Sequence, residues 1–222
     1  MDIKVQKAVE AGVNAYAGIE NIEKDAFLAG IKIAFEFEAP FMDKVQKMDD
    51  VFDEHQAFEE LRELFFDLLM INFFAEDVQK LEEDYLDSEE WEAIEEDTLD
   101  RGTELLNIFL YLKECADDEI EPALDDYLKE FLLVEEDEFQ DEYRIYEKVI
   151  ANQILVESDY SEIAKVSKIV EQNEELFELY YPLVAFFFEQ NPTEEQLKQF
   201  QSFATNPAYE TALYQVIVNF SK

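Results

Sequence analysis

The chain has 222 residues, and its 48% hydrophobic content is enough to bury a core, which excludes a disordered chain despite a net charge of −39. With 56 acidic residues against 17 basic ones, the surface repels nucleic acid and anionic membrane, and no basic stripe offers a direct DNA or RNA contact. Cys115 is the single cysteine, so the chain can form neither an internal disulfide nor a cysteine metal site.

Four glycines and five prolines are too few for the turns of a sheet protein. The expected fold is all-α, a multi-helix bundle or irregular array of roughly nine or ten helices with short connections. It is expected to form one domain over residues 1–222, with a sub-boundary conceivable near Asp87. The opening MDIKVQKAVEAG lacks the apolar stretch of a signal peptide. Together with the lone cysteine, this points to a cytoplasmic setting.

In chain order, a helical run from Glu20 to Glu38 closes before Pro40. Leu64 to Phe74 is too short and too polar to span a bilayer and reads as a buried helix. Asp67 interrupts it. A carboxylate there turns to a wet edge, pairs with a base such as Arg62, or is a buried functional group. Ser88 ahead of Glu89, Glu90 and Trp91 reads as a capping box. From it, Trp91, Ile94, Thr98, Leu105, Phe109 and Leu112 form one stripe of a long amphipathic helix.

Asp117, Asp118 and Pro122 open the next helix, with a stripe through Ile120, Leu124, Leu128, Phe131 and Leu132. A further helix is expected from about Glu138 to Val156, carrying Phe139, Tyr143, Tyr146, Val149, Ile150 and Ile154. Ser158 or Asp159 caps its successor. Pro182 falls inside a helical run from Glu174 to Glu189 and should kink or split it. Thr193 with its neighbours opens a short helix ending near Thr205, and Asn206–Pro207 opens the last.

Charge is unevenly spread. Glu76 to Glu147 holds 29 acidic and 5 basic residues, a net −24 in 72 positions. Much of that excess suits an ordinary solvated face. Glu nevertheless recurs beside Glu with no Lys four residues on, and like charges at that four-residue spacing destabilise a helix by a few tenths of a kcal/mol each. Solubility does not require this; a surface that meets a basic partner does.

Tests for chemistry return little. His55 is the single histidine, which leaves no di-iron Glu-x-x-His pair and no triad geometry readable in sequence. No Gly-rich phosphate loop or Ca²⁺ loop occurs. Glu82, Glu83, Asp84 and Asp87 are one carboxylate group of the kind that holds Mg²⁺ or Mn²⁺. The aromatics around Pro182, from Tyr180 to Phe188, form either a groove or, more simply, core. No cofactor motif is present.

The leading expectation is a non-enzymatic interaction protein docking a basic protein partner. The candidate contacts are Glu82, Glu83, Asp87, Glu89, Glu90, Glu95, Glu96, Asp125, Asp126, Glu135 and Glu136. A nucleic-acid mimic, an inhibitor and an immunity-type protein all fit that physics. The alternatives are a carboxylate-metal enzyme and a helical scaffold whose charge serves solubility.

Overall fold

The computed structural model describes residues 1–76, 80, 83–130, 133–135, 138–139, 145–170 and 176–222, excluding the side chains of 83, 84, 130, 133–135 and 138–139. Its fold is an all-α helical array. One continuous set of buried side chains runs from Val5 to Phe220.

The amino- and carboxy-terminal helices, α1 (Ile3–Glu20) and α13 (Pro207–Phe220), pack along each other. Lys4 Nζ reaches the Phe220 carbonyl at one end. Gly12 permits the close approach in the middle, since a Cβ there would stand 2.6 Å from Val216 Cγ2. Asp2 caps α1 by accepting from the Lys4 and Val5 amides. Asn206 caps α13, whose first position is Pro207.

Helices α2 (Asp25–Phe35) and α3 (Phe41–Glu54) pair beside this layer, α3 opening directly after Pro40. A 3₁₀ turn, Gln56–Leu61, leads into α4 (Arg62–Glu76). Every residue of α4 from Leu64 to Phe74 is buried, Asp67 and Asn72 included. This helix is the central strut, touching α1, α3 and α7 (Leu105–Asp117).

Between α4 and α7 lie α5 (Glu83–Leu86) and α6 (Glu89–Asp97). Ser88 caps α6 by accepting from the Trp91 amide at 3.2 Å. The residue three on is Trp91 rather than Glu, so only half of the expected capping box exists.

The long helix expected through Leu112 is broken. α6 ends at Asp97 and α7 begins at Leu105, with Gly102 between them at φ +81°. Its stripe residues nevertheless all face inward or are half-buried, because the break preserves the face.

α8 (Leu124–Glu130) starts after Pro122 rather than around it, leaving Ile120 exposed; Phe131 and Leu132 lie outside the described residues. The helix expected from Glu138 is also corrected. Leu133–Glu135 (β1) pairs antiparallel with Glu138–Phe139 (β2); residues 140–144, Tyr143 among them, lie outside the described residues, and α9 (Glu147–Ala151) is followed by a 3₁₀ turn, Gln153–Glu157. In sequence, residues 135–138 read Glu-Glu-Asp-Glu with no Lys or Arg three or four positions away, which leaves no helix-stabilising ion pair there. Ile154 is correspondingly 71% exposed.

Asp159 caps α10 (Tyr160–Ser167) through the Ser161 and Glu162 amides. α11 (Tyr180–Phe188) carries Pro182 in its first turn, where the missing amide is harmless, and residues 174 and 175 of the expected run lie outside the described residues. The aromatics of α11 are core: Tyr181 stacks on Phe200 with centroids 4.3 Å apart. Phe200 belongs to α12 (Glu194–Phe203), which opens with a complete Thr193–Gln196 capping box.

Among the described residues, no helix is long and apolar enough to cross a membrane.

Candidate functional site

The break between α6 and α7 is held open by α4. Glu63 and Asp67 stand four residues apart on α4, one turn above each other. Glu63 Oε2 accepts from the Gly102 amide at 2.7 Å. Asp67 accepts from the Thr103 amide at 3.0 Å and from its hydroxyl at 2.6 Å. That hydroxyl in turn accepts from the Leu105 amide, satisfying a first-turn donor of α7. Asp67 thus sets the start of α7 through Thr103.

Gly102 is required twice over. Its φ is left-handed, and a Cβ would lie 2.6 Å from Asp67 Oδ1 and 3.1 Å from Phe66 Cδ1.

Arg101 completes the clamp. It is bidentate on Asp49 of α3 at 3.0 and 3.1 Å, reaches Glu63 at 3.1 Å, and lies over the Phe66 ring. Burial works against its charge, but Asp49 and Glu63 more than compensate, leaving its pKa raised.

Asp67 is only 2% exposed. Burial pushes its carboxyl well above the usual carboxylate range. Thr103 pulls it back part of the way, while Glu63 and Glu104 add to the rise. Arg62 is not its partner. Five residues apart on a helix is about 140° of rotation, and Arg62 instead binds Asp49, Asp53 and Glu59. Asp67 therefore neither turns to a wet edge nor pairs with Arg62: it is buried, with both oxygens accepting from Thr103.

A second buried carboxylate, Glu210, lies in the first turn of α13. It accepts from the Thr205 amide at 2.9 Å, and burial pushes its carboxyl up to about 7.

The acidic helix α6 rests on the carboxy-terminal end of α4. Trp91 and Ile94 turn α6 inward, with the Trp91 ring 5.3 Å from Phe74. The other faces carry Glu89, Glu90, Glu92, Glu95, Glu96 and Asp97, all exposed, preceded by exposed Asp87. Among the described residues, no Lys or Arg forms an ion pair with any of them. The nearest base in sequence before α6, Lys80, sits over the Phe73 ring at 3.4 Å.

Six carboxylates on nine residues, about 13.5 Å of helix, is one charge per about 2.3 Å. Duplex DNA carries one per about 1.7 Å. Glu95, Glu96 and Asp97 also crowd the negative end of the helix dipole, each unfavourable by a few tenths of a kcal/mol or more. The charge of α6 works against the helix that carries it.

The other expected contacts divide. Asp125 is exposed on α8 but paired with Lys129 at 3.3 Å, and Asp126 is half-buried. α8 rests on α7 through Tyr111 and Tyr127, whereas α6 rests on α4, so the two acidic stretches have separate supports. Glu83 and Glu135 are placed by backbone alone, in α5 and β1; Glu82 and Glu136 lie outside the described residues. The carboxylate group Glu82, Glu83, Asp84 and Asp87 therefore has only Asp87 with a described side chain, and among the described residues no three His, Cys, Asp or Glu converge as a metal site. His55 closes α3, half-buried, edge-on to Phe27.

Sequence reasoning missed Arg101, Gly102, Thr103, Asp49 and Glu63. The available signal was Gly102 itself, a lone glycine inside an expected helix.

Between α4 and α6 the clamp leaves an open recess of about 430 Å³. Phe66, Met70, Trp91 and Leu106 supply apolar walls, and Glu95 and Leu99 stand at its edge. Comparison with protein-family models, curated proteins and solved structures gives no match for this chain.

Proposed function

We propose that the protein is a non-enzymatic interaction module that docks a basic protein partner through the exposed face of α6. The observation that carries this reading is the run of six exposed, unpaired carboxylates on α6, at a linear charge density close to that of duplex DNA. Such a track attracts Lys- and Arg-rich surfaces, speeds encounter and fixes register. A DNA- or RNA-binding protein, or a basic toxin, presents the matching surface. The protein would then act by occupying that surface, as a nucleic-acid mimic, inhibitor or immunity protein does. The bonds of Arg101 to Glu63 and of Thr103 to Asp67 fix the connection that follows α6 to α4, which limits the ordering that binding requires.

The test is capture from cell lysate with elution by a salt gradient. The wild-type chain should retain a basic protein that elutes only at high salt. Reversing Glu89, Glu90, Glu95 and Glu96 to Lys should abolish its retention. An unchanged set of captured proteins after reversal would overturn the reading.

A further inference from the structure

Charge complementarity steers encounter and sets register but adds little raw affinity, whereas tight interfaces bury an apolar anchor inside a polar rim. The recess between α4 and α6 has that form. Trp91 lines one side and Phe66 and Met70 the other, with Thr98 and the Asp67–Thr103 pair, whose carboxylate and hydroxyl are bonded to each other, also in the lining. Leu99, 80% exposed, stands at its edge and is available to cover an inserted group. Glu95 lines the same opening, and Glu92, Glu96 and Asp100 lie exposed beside it in sequence. Arg101 also lines it, but its guanidinium is bound by Asp49 and Glu63, so the surroundings stay net negative.

We propose that this recess seats one large apolar side chain, of Leu to Phe size, from a Lys- and Arg-rich segment of the partner, whose flanking charges lie along α6. The proposal rests on the docking reading above and adds a defined anchor to it. Charge complementarity selects this occupant. An apolar segment without flanking bases would leave the α6 carboxylates unmatched, and a purely basic segment would leave the apolar walls wet.

Trp91 is the single tryptophan of the chain, so its emission reports the recess directly. The probes are two synthetic nonapeptides, lysine throughout except for a central Phe in one and a central Ser in the other. Both should bind with salt-sensitive affinity. The Phe peptide should bind about tenfold more tightly, which corresponds to about 1.4 kcal/mol, and should alone shift Trp91 emission. Leu99→Ser changes an exposed side chain, so folding is undisturbed. It should weaken the Phe peptide several-fold and leave the Ser peptide unchanged.

Equal affinity for the two peptides, with binding lost on reversing Glu89, Glu90, Glu95 and Glu96, would overturn the anchor and leave the docking reading standing. Absence of salt-sensitive binding by either peptide would overturn both.

Discussion

Replacing Gly102 by Ala tests whether the α6–α7 break is built as described. An alanine at φ +81° bears a left-handed cost of about 1–2 kcal/mol. Its Cβ would stand 2.6 Å from Asp67 Oδ1, with Phe66 Cδ1 at 3.1 Å, so the carboxylate has to move. Moving it strains the two donations from Thr103, adding about 1–2 kcal/mol for a buried acceptor left poorly matched. The expected loss is therefore about 2–4 kcal/mol. The assay is urea denaturation, read as a lower midpoint at unchanged slope. Gly18→Ala is the internal control: this glycine is helical, exposed, and open to a Cβ, so the change should stabilise by about 0.5–1 kcal/mol. A Gly102→Ala loss below about 0.5 kcal/mol would refute the clamp geometry.

Three further outcomes follow from the buried polar groups and the charge. Glu210 has its carboxyl raised from 4.5 to about 7, so the folded state holds that proton more tightly than the unfolded chain. Its contribution is most favourable at low pH and is lost as pH rises from about 4.5 to about 7. At full strength this is about 3 kcal/mol, reduced by residual solvent contact to about 2. Glu210→Gln keeps an acceptor for the Thr205 amide; its melting temperature should exceed wild type at pH 7 and match it near pH 4, and parallel curves would contradict the assignment. Thr103→Val retains the amide donation to Asp67 but deletes the hydroxyl, and should lower stability by about 1–3 kcal/mol in urea titration, whereas Thr103→Ser should stay within about 0.5. With a net charge of −39, the wild-type melting temperature should climb as NaCl is raised from about 0.05 to about 0.5 M; a fall would mean that self-repulsion is not significant.

Periodicity revealed the buried α4, the caps at Asp159 and Thr193 and the start of α13, because each is written in contiguous residues. What it missed depends on residues far apart in the chain. Thr98 to Gly102 carries no Pro, and its stripe residues still face inward, so the pattern continues across a broken helix. The break appears only when Glu63 and Asp67, more than thirty positions away, receive the Gly102 and Thr103 amides. Arg62 and Arg101 illustrate the same limit. Both converge on Asp49, a meeting that requires α3, α4 and the 98–104 connection to be assembled. The acidic face was legible as composition, and α6 then resolves it. There Glu92 and Asp97 join the expected Glu89, Glu90, Glu95 and Glu96, while Asp125 proves to be paired with Lys129.

The most direct test of α6 docking is to titrate the captured basic partner against three chains under matched salt. These are wild type, a variant with Glu89, Glu90, Glu95 and Glu96 reversed to Lys, and a variant with Asp125 and Asp126 reversed on α8. Docking through α6 predicts that the α6 variant loses binding at least a hundredfold, while the α8 variant stays within a few-fold of wild type with the same salt dependence. Equal losses in the two variants, or none in the α6 variant, would contradict it.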